Sequence, residues 1–200
     1  MNPALSQIGK QMSNLTGVRA IMKDIVETLQ AGAGKQFINL SAGNPLILPE
    51  VEQLWRDCTT ELLASSEYGE VVCRYGSSQG YAYLIETIAS DFNRRYGLDL
   101  NNNNILITPG SQSLYFCAAN AFGGLTTNGG RKQIVLPLSP DYTGYGGICL
   151  FQDALVAYKP TLDVEEEAHT FKYRPDFSQL SITERTGCII FSRPSNPTGN

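Results

Sequence analysis

Three short stretches carry side chains suited to hold one small, anionic, aromatic ligand. The first is Gly110-Ser111-Gln112, just ahead of an apolar run that reads as a helix. Free backbone N–H groups at a helix start, the helix dipole and a hydroxyl make an anion site, and a glycine lets a phosphate approach. The stretch has neither the Gly-Lys-Ser/Thr of a nucleotide loop nor a dinucleotide glycine pattern. The second is Pro140-Asp141-Tyr142, with Tyr145 three residues on. An aromatic ring at a strand end can stack on a planar heterocycle. The third is Ser192-Arg193-Pro194-Ser195-Asn196-Pro197-Thr198-Gly199-Asn200. Each proline fixes its own φ and pushes the preceding residue toward extended geometry, so the Asn196 amide is held in nearly one place. Each stretch alone is more often a plain turn or packing. Together, in this order, they describe a site for a phosphorylated, planar, hydroxylated pyridine.

These stretches must be positioned by strands and helices. Ile105-Leu106-Ile107-Thr108 reads as a strand leading into Gly110, and Ser113 to Phe122 as the helix after it, ended by Gly123-Gly124. Gln133-Ile134-Val135-Leu136 is a strand ahead of the Tyr142 loop. Gly187 to Ser192 is a short apolar strand ahead of the Asn196 loop. A short helix and a weak strand, Leu155 to Tyr158, lie between them, followed by an acidic excursion around Asp163 to Ala168 that reads as a solvated loop holding His169. Strands alternating with helices from about residue 100 predict an α/β layer with a mostly parallel sheet, whose ligands bind outside the strands' carboxyl ends. Upstream, Val18, Ile21, Met22, Ile25 and Leu29 predict one amphipathic helix. Val51, Leu54, Trp55, Cys58 and Leu62 predict another, opened by Pro49. Leu84, Ile85, Ile88, Phe92 and Tyr96 predict the inward face of a third, which Ser78 could cap and Gly97 stops. Phe37 to Leu40 is a strand candidate, and Ser41 to Pro45 a turn.

Composition narrows the function. The 200 residues carry 42% hydrophobic and 17% charged side chains and a net charge of −4, enough for one sizeable core and without a basic stripe for nucleic acid. No apolar run approaches the ~20 residues that span a bilayer, and Met1 to Gln7 does not have the pattern of a secretory signal, so the expectation is a cytoplasmic protein. The five cysteines have no metal-ligand spacing. Cys58, Cys117 and Cys188 fall on apolar faces and read as core thiols. With His169 the only histidine, a His-based triad or metal site is hard to assemble.

From about residue 18 onward the sequence resembles pyridoxal-phosphate aminotransferases of fold type I. The resemblance rests on Gly43-Asn44-Pro45 with Pro49-Glu50, Tyr75 to Gly80, Gly110 to Ser113, Pro137 to Tyr145, Phe171-Lys172-Tyr173 and Ser192 to Asn200. It implies that Ser111 and Gln112 cradle the phosphate, Tyr142 stacks on the ring and Asn196 bonds the phenolic oxygen. It further implies that Tyr75 reaches the phosphate of a partner subunit in a homodimer, and that Gly43 lies beside the substrate. No ligand role is assigned to Arg193. The implied reaction moves the amino group of L-valine or a similar amino acid to pyruvate. A lyase or decarboxylase of the same fold, or a non-catalytic regulatory module binding the cofactor, are the alternatives. In the family the Schiff-base lysine, an acid for the pyridine nitrogen and an arginine for the substrate carboxylate follow the Asn196 loop. None of Lys10, Lys23, Lys35, Lys132, Lys159 and Lys172 stands in a loop resembling that lysine site. The sequence is thus expected to be the N-terminal part of a longer enzyme: residues 1–48 an N-terminal arm and small-domain segment, 49–200 the first half of the large cofactor-binding domain.

Overall fold

The structure, a computed structural model, describes residues 4–14, 17–32 and 45–199, with the Gln152 side chain excepted. They form two compact units, one of Met1–Gln36 with Gly110–Asn200, the other of Phe37–Pro109.

The first unit begins with two helices, α1 (Gln7–Ser13) and α2 (Val18–Ala31). Ser6 caps α1 by accepting the Gly9 N–H at 2.9 Å. The periodic run from Val18 predicted α2; the shorter α1 carries no such signal. The other helix of this unit, α6 (Ser111–Phe122), lies where the sequence puts it.

The sheet of this unit is built on one strand. β1 (Gly124–Leu125) runs antiparallel to the start of β2 (Arg131–Leu136). β3 (Leu155–Ala157) and β6 (Thr186–Ile189) both run parallel to β2, with Val135 facing Val156 on one side and Ile189 on the other. The sheet is therefore mixed, with its parallel part around β2, a correction to the mostly parallel sheet expected. Ile134, Val135 and Leu136 are all buried, the continuous apolar run of a strand covered on both faces. Ile134 and Leu136 join Ala119 of α6, Tyr145, Ile148, Cys149, Ala154 and Ile190 around one core. The Asn120 amide stitches α6 to the loop below it, donating to Ile148 O at 2.8 Å and accepting from Leu150 N–H at 2.9 Å. Past the strand ends the ladder continues: the Ile190 N–H donates to Val135 O, and the Tyr158 N–H to Leu136 O. This fixes the carboxyl ends of β2 and β6 side by side, where their loops meet.

The acidic excursion is not a loop. It is an antiparallel hairpin of β4 (Pro160–Glu165) and β5 (Thr170–Pro175), in register from Pro160 opposite Pro175 to Glu165 opposite Thr170. Leu162 and Val164 alternate with Asp163 and Glu165, and Phe171 and Tyr173 alternate with Lys172 and Arg174, the period-2 signal that the acidic charge masked. The expected short helix is two 3₁₀ turns, Thr143–Gly147 and Gln152–Ala154.

The second unit holds α3 (Pro49–Ala64), α4 (Tyr68–Cys73) and α5 (Ala82–Tyr96). Pro49 is the first residue of α3, and Gly97 ends α5 in a left-handed conformation, its N–H donating to Asn93 O. α5 starts from Tyr81 without a side-chain cap, so Ser78 does not cap it. On α5, Ile85 is buried but Leu84, Phe92 and Tyr96 are exposed. The expected inward stripe of α3 is exposed throughout, with Trp55 69% accessible, because no layer covers it among the described residues. Residues 105–108 are not in a ladder among the described residues. Their backbone is tied instead by the Ile107 N–H to Gln79 O at 2.9 Å and by the Gln79 amide to Ile105 O at 2.8 Å. The expected strand at Phe37 to Leu40 lies outside the described residues. The thiols sort differently from the sequence reading: Cys149 is buried and Cys188 half-buried, whereas Cys58 and Cys117 are exposed.

Candidate functional site

The candidate residues stand at the carboxyl ends of β2 and β6 and at the start of α6. All three belong to the first unit. Gly110 precedes α6 with φ +81, and a Cβ there would meet nothing within 4 Å, so the approach to the helix start is open. Ser111 and Gln112 are exposed at the first two helical positions, whose N–H groups have no intrahelical acceptor. The Gln112 side chain reaches away from the helix and donates to Gly144 O at 3.1 Å. Its contribution to an anion site therefore comes from the backbone.

The loop after β2 turns at Asp141 and Tyr142. The half-buried Tyr142 ring meets the Tyr145 ring edge-on at 5.6 Å, and Tyr145 meets Tyr115 of α6 edge-on at 5.0 Å. A Cβ on Gly144 would overlap the Tyr142 ring and crowd the Gln112 amide. Only a residue without a side chain fits there. Tyr145 is 1% exposed, and burial first, then the neighbouring Tyr115 hydroxyl, push its phenol up to about 12, while the Ser192 hydroxyl pulls the other way. Tyr145 thus stays protonated across the physiological range.

The loop after β6 brings Asn196 to the same end. Its side-chain amide is exposed and has no hydrogen-bond partner among the described residues. Ser195, beside it, is 4% exposed; its Oγ and the Thr198 Oγ1 are buried without a partner among the described residues. The peptide bonds before Pro140, Pro194 and Pro197 are cis. Asp141 joins the two loops: its Oδ1 accepts the Tyr142 N–H at 2.7 Å and the Ser192 hydroxyl at 3.3 Å. Its Oδ2 is buried and unpartnered among the described residues.

A cleft of about 600 Å³ opens over Gln112 and the Tyr142 loop, and neither Ser111 nor Asn196 lines it. Gln112, Tyr142 and Thr143 line one side of it, and Gln11, Met12 and Arg19 of the N-terminal helices line the other. The Gln11 amide anchors that side by donating to Cys149 O at 3.2 Å. Of the residues the sequence singled out, Ser111, Gln112, Tyr142 and Asn196 all belong to this unit. Tyr75 is fully exposed in the second unit, and Gly43 lies outside the described residues. The sequence reading gave no role to Asp141, Tyr115, Ser192 or Ser195. Asp141 and Ser192 lay inside the quoted motifs, and only their neighbourhood in space marks them.

The family model described as aminotransferase class I and II matches residues 35–200. This chain belongs to the class I and II aminotransferases. It is 34% identical over 195 residues to the valine–pyruvate aminotransferase of Escherichia coli K12, covering 98% of this chain and 46% of that protein. The solved structure of a putative amino-acid aminotransferase from Psychrobacter arcticum superposes with a TM-score of 0.86 at 31% identity, covering 100% of this chain and 49% of that one. Valine–pyruvate aminotransferase from Salmonella typhimurium superposes at 0.73 with 33% identity, covering 92% of this chain and 43% of that one. The chain spans about half the length of the relatives it matches. Class I and II aminotransferases imply pyridoxal phosphate. The residues present fit that group: an open helix start at Ser111, an aromatic ring at Tyr142, an unbonded amide at Asn196 and orphaned hydroxyls at Ser195 and Thr198. No helix among the described residues is long and apolar enough to cross a membrane, and none of their acidic, cysteine or histidine groups cluster as metal ligands.

Proposed function

We propose that this chain is the N-terminal part of a pyridoxal-phosphate-dependent aminotransferase that moves the amino group of L-valine, or a similar aliphatic amino acid, to pyruvate. The cofactor assignment is supported by Tyr142 and Asn196 following the parallel neighbours β2 and β6, and by the open α6 start in the same unit, in a chain of the aminotransferase family. The donor and acceptor are supported by 34% identity to a valine–pyruvate aminotransferase over 98% of this chain. Ser111 and the N–H groups of Ser111 and Gln112 would hold the phosphate, where helix-end partial charge favours an anion. Tyr142 would offer its face to the ring, and Asn196 would donate to the phenolic oxygen. The chemistry the cofactor supplies is an electron sink for the carbanion formed at the amino-acid carbon. The residues of this chain bind and orient: they fix the ring's plane and stabilise negative charge on its oxygen before any bond breaks. Tyr75 remains assigned to the phosphate of a partner subunit in a homodimer and Gly43 to the substrate side. The boundary between residues 48 and 49 remains the proposed division of arm and large domain.

The test is the complete enzyme, loaded with pyridoxal phosphate and given L-valine and pyruvate. Alanine and 2-oxoisovalerate are the expected products. Transfer from aspartate with none from valine would overturn the donor. Decarboxylation of the amino acid without transfer would overturn the reaction class.

A further inference from the structure

The loops carrying Tyr142 and Asn196 come from different strands, and the distance between ring face and amide depends on what joins them. β2 and β6 are parallel neighbours, so their loops leave the sheet on the same side. Beyond the ladder, Asp141 is the joint: Oδ1 accepts from the backbone N–H of Tyr142 at 2.7 Å and from the Ser192 hydroxyl at 3.3 Å. One carboxylate oxygen thus holds the residue expected to stack on the ring and the residue four positions before Asn196. The second oxygen is buried and has no partner among the described residues. Tyr145 packs edge-on against Tyr142 and against Tyr115, so the joint also sits beside the aromatic contacts that fix the Tyr142 ring.

We propose that Asp141 is a positioning residue of the cofactor site, tying the Tyr142 loop to the Asn196 loop through Ser192 and so setting how the ring face and the amide meet one ligand. This rests on the pyridoxal-phosphate reading above. Asp141 need not touch the cofactor. It acts through the Tyr142 backbone and the Ser192 hydroxyl, and Ser192 is the second half of the same joint.

The experiment uses the complete enzyme, with Asp141→Ala, Ser192→Ala and the double variant. Three quantities are read: the thermal midpoint of the cofactor-free protein, the dissociation constant of pyridoxal phosphate, and the induced circular dichroism of the bound cofactor's visible band. That last signal reports the ring's setting in its chiral surroundings. Asp141→Ala removes the shared acceptor and is expected to weaken cofactor binding by about tenfold, the worth of one charge-assisted hydrogen bond, and to reduce or invert the dichroic band. Ser192→Ala moves both in the same direction by less, and the double variant matches Asp141→Ala because the two residues act as one joint. Unchanged affinity and dichroism in both single variants, whatever the thermal midpoint does, overturns the proposal. So do fully additive effects in the double variant. If Asp141→Ala does not fold, Ser192→Ala alone decides, since it removes only a hydroxyl. Failure of the unaltered enzyme to bind pyridoxal phosphate overturns the cofactor reading itself, a result distinct from any of these.

Discussion

Asn196 offers the sharpest test of a single side chain. In the complete enzyme, Asn196→Ala is expected to raise the pKa at which the bound cofactor's visible band titrates. The amide stabilises negative charge on the phenolic oxygen, and without it that charge holds the neighbouring proton more firmly. One charge-assisted bond is worth about 1.5–3 kcal/mol, or up to about two pH units. An absorbance titration with an unmoved midpoint would remove Asn196 from the site. Tyr145 makes a second prediction, on stability. Its folded pKa is raised to about 12, above the value near 10 of an exposed tyrosine. Its contribution is therefore complete below pH ~10 and is lost as pH rises toward 12. Tyr145→Phe cannot ionise, so urea unfolding from pH 9 to 12 should show the unaltered protein losing up to about 2–3 kcal/mol relative to the variant. Parallel curves would place the phenol in a wetter setting than the structure shows. Asn196, Ser111 and Tyr142 stand out as candidates in the sequence because their loops combine glycine, proline and polar residues in rare strings. Asp141 was not legible as a joint, because its partner Ser192 is 51 residues away and a carboxylate in a loop has no spacing signal of its own.

Among the elements, β6 meets the end of α6 with no room to spare. The register between β2 and β6 shifts at Gly187, where Gln133 faces Thr186 and Ile134 faces Cys188, so Gly187 is the extra residue of a bulge. A Cβ there would overlap the Phe122 carbonyl oxygen, which is backbone and cannot rotate aside. Gly187→Ala is expected to cost several kcal/mol, roughly the upper range for point substitutions, and to abolish soluble folded protein. Gly97→Ala makes the contrast: the space is open, only the left-handed backbone is strained, and the cost is about 1 kcal/mol in a denaturant titration. Equal losses from both substitutions would show that the bulge relaxes. Helices α2, α3 and α5 were legible because 3.6-residue periodicity is local, and α6 because its apolar run is closed by Gly123-Gly124. The hairpin was hidden by its charge, since acidic alternation looks like a solvated loop until the opposing strand is known. The strand expected at 105–108 has the right composition, but a strand is defined by its neighbour, and that neighbour is not in the sequence of the segment itself.

At the scale of the molecule, apolar surface is the dominant feature. Leu54 and Trp55 of α3 stand 60% and 69% exposed, and Val51 and Leu62 of the same stripe are exposed as well. A stripe of this kind is normally covered in the assembled protein. The polypeptide of residues 1–200, made alone, is expected to self-associate at micromolar concentration, and Leu54→Gln with Trp55→Glu to reduce that association, as followed by light scattering. A monodisperse monomer before substitution would contradict the exposure seen here. The hairpin of β4 and β5 has the opposite character. Among the described residues its strands pair only with each other, and it opens and closes on the facing pair Pro160 and Pro175, so the chain returns to where it departed. Its tip, from Glu166 to His169, is exposed and far along the ladder from β3. The hairpin is in effect a mast: a peptide epitope or fluorophore spliced between Glu166 and His169 would ride on a paired stem, and the stem could be shortened two residues per strand at a time without turning its faces over.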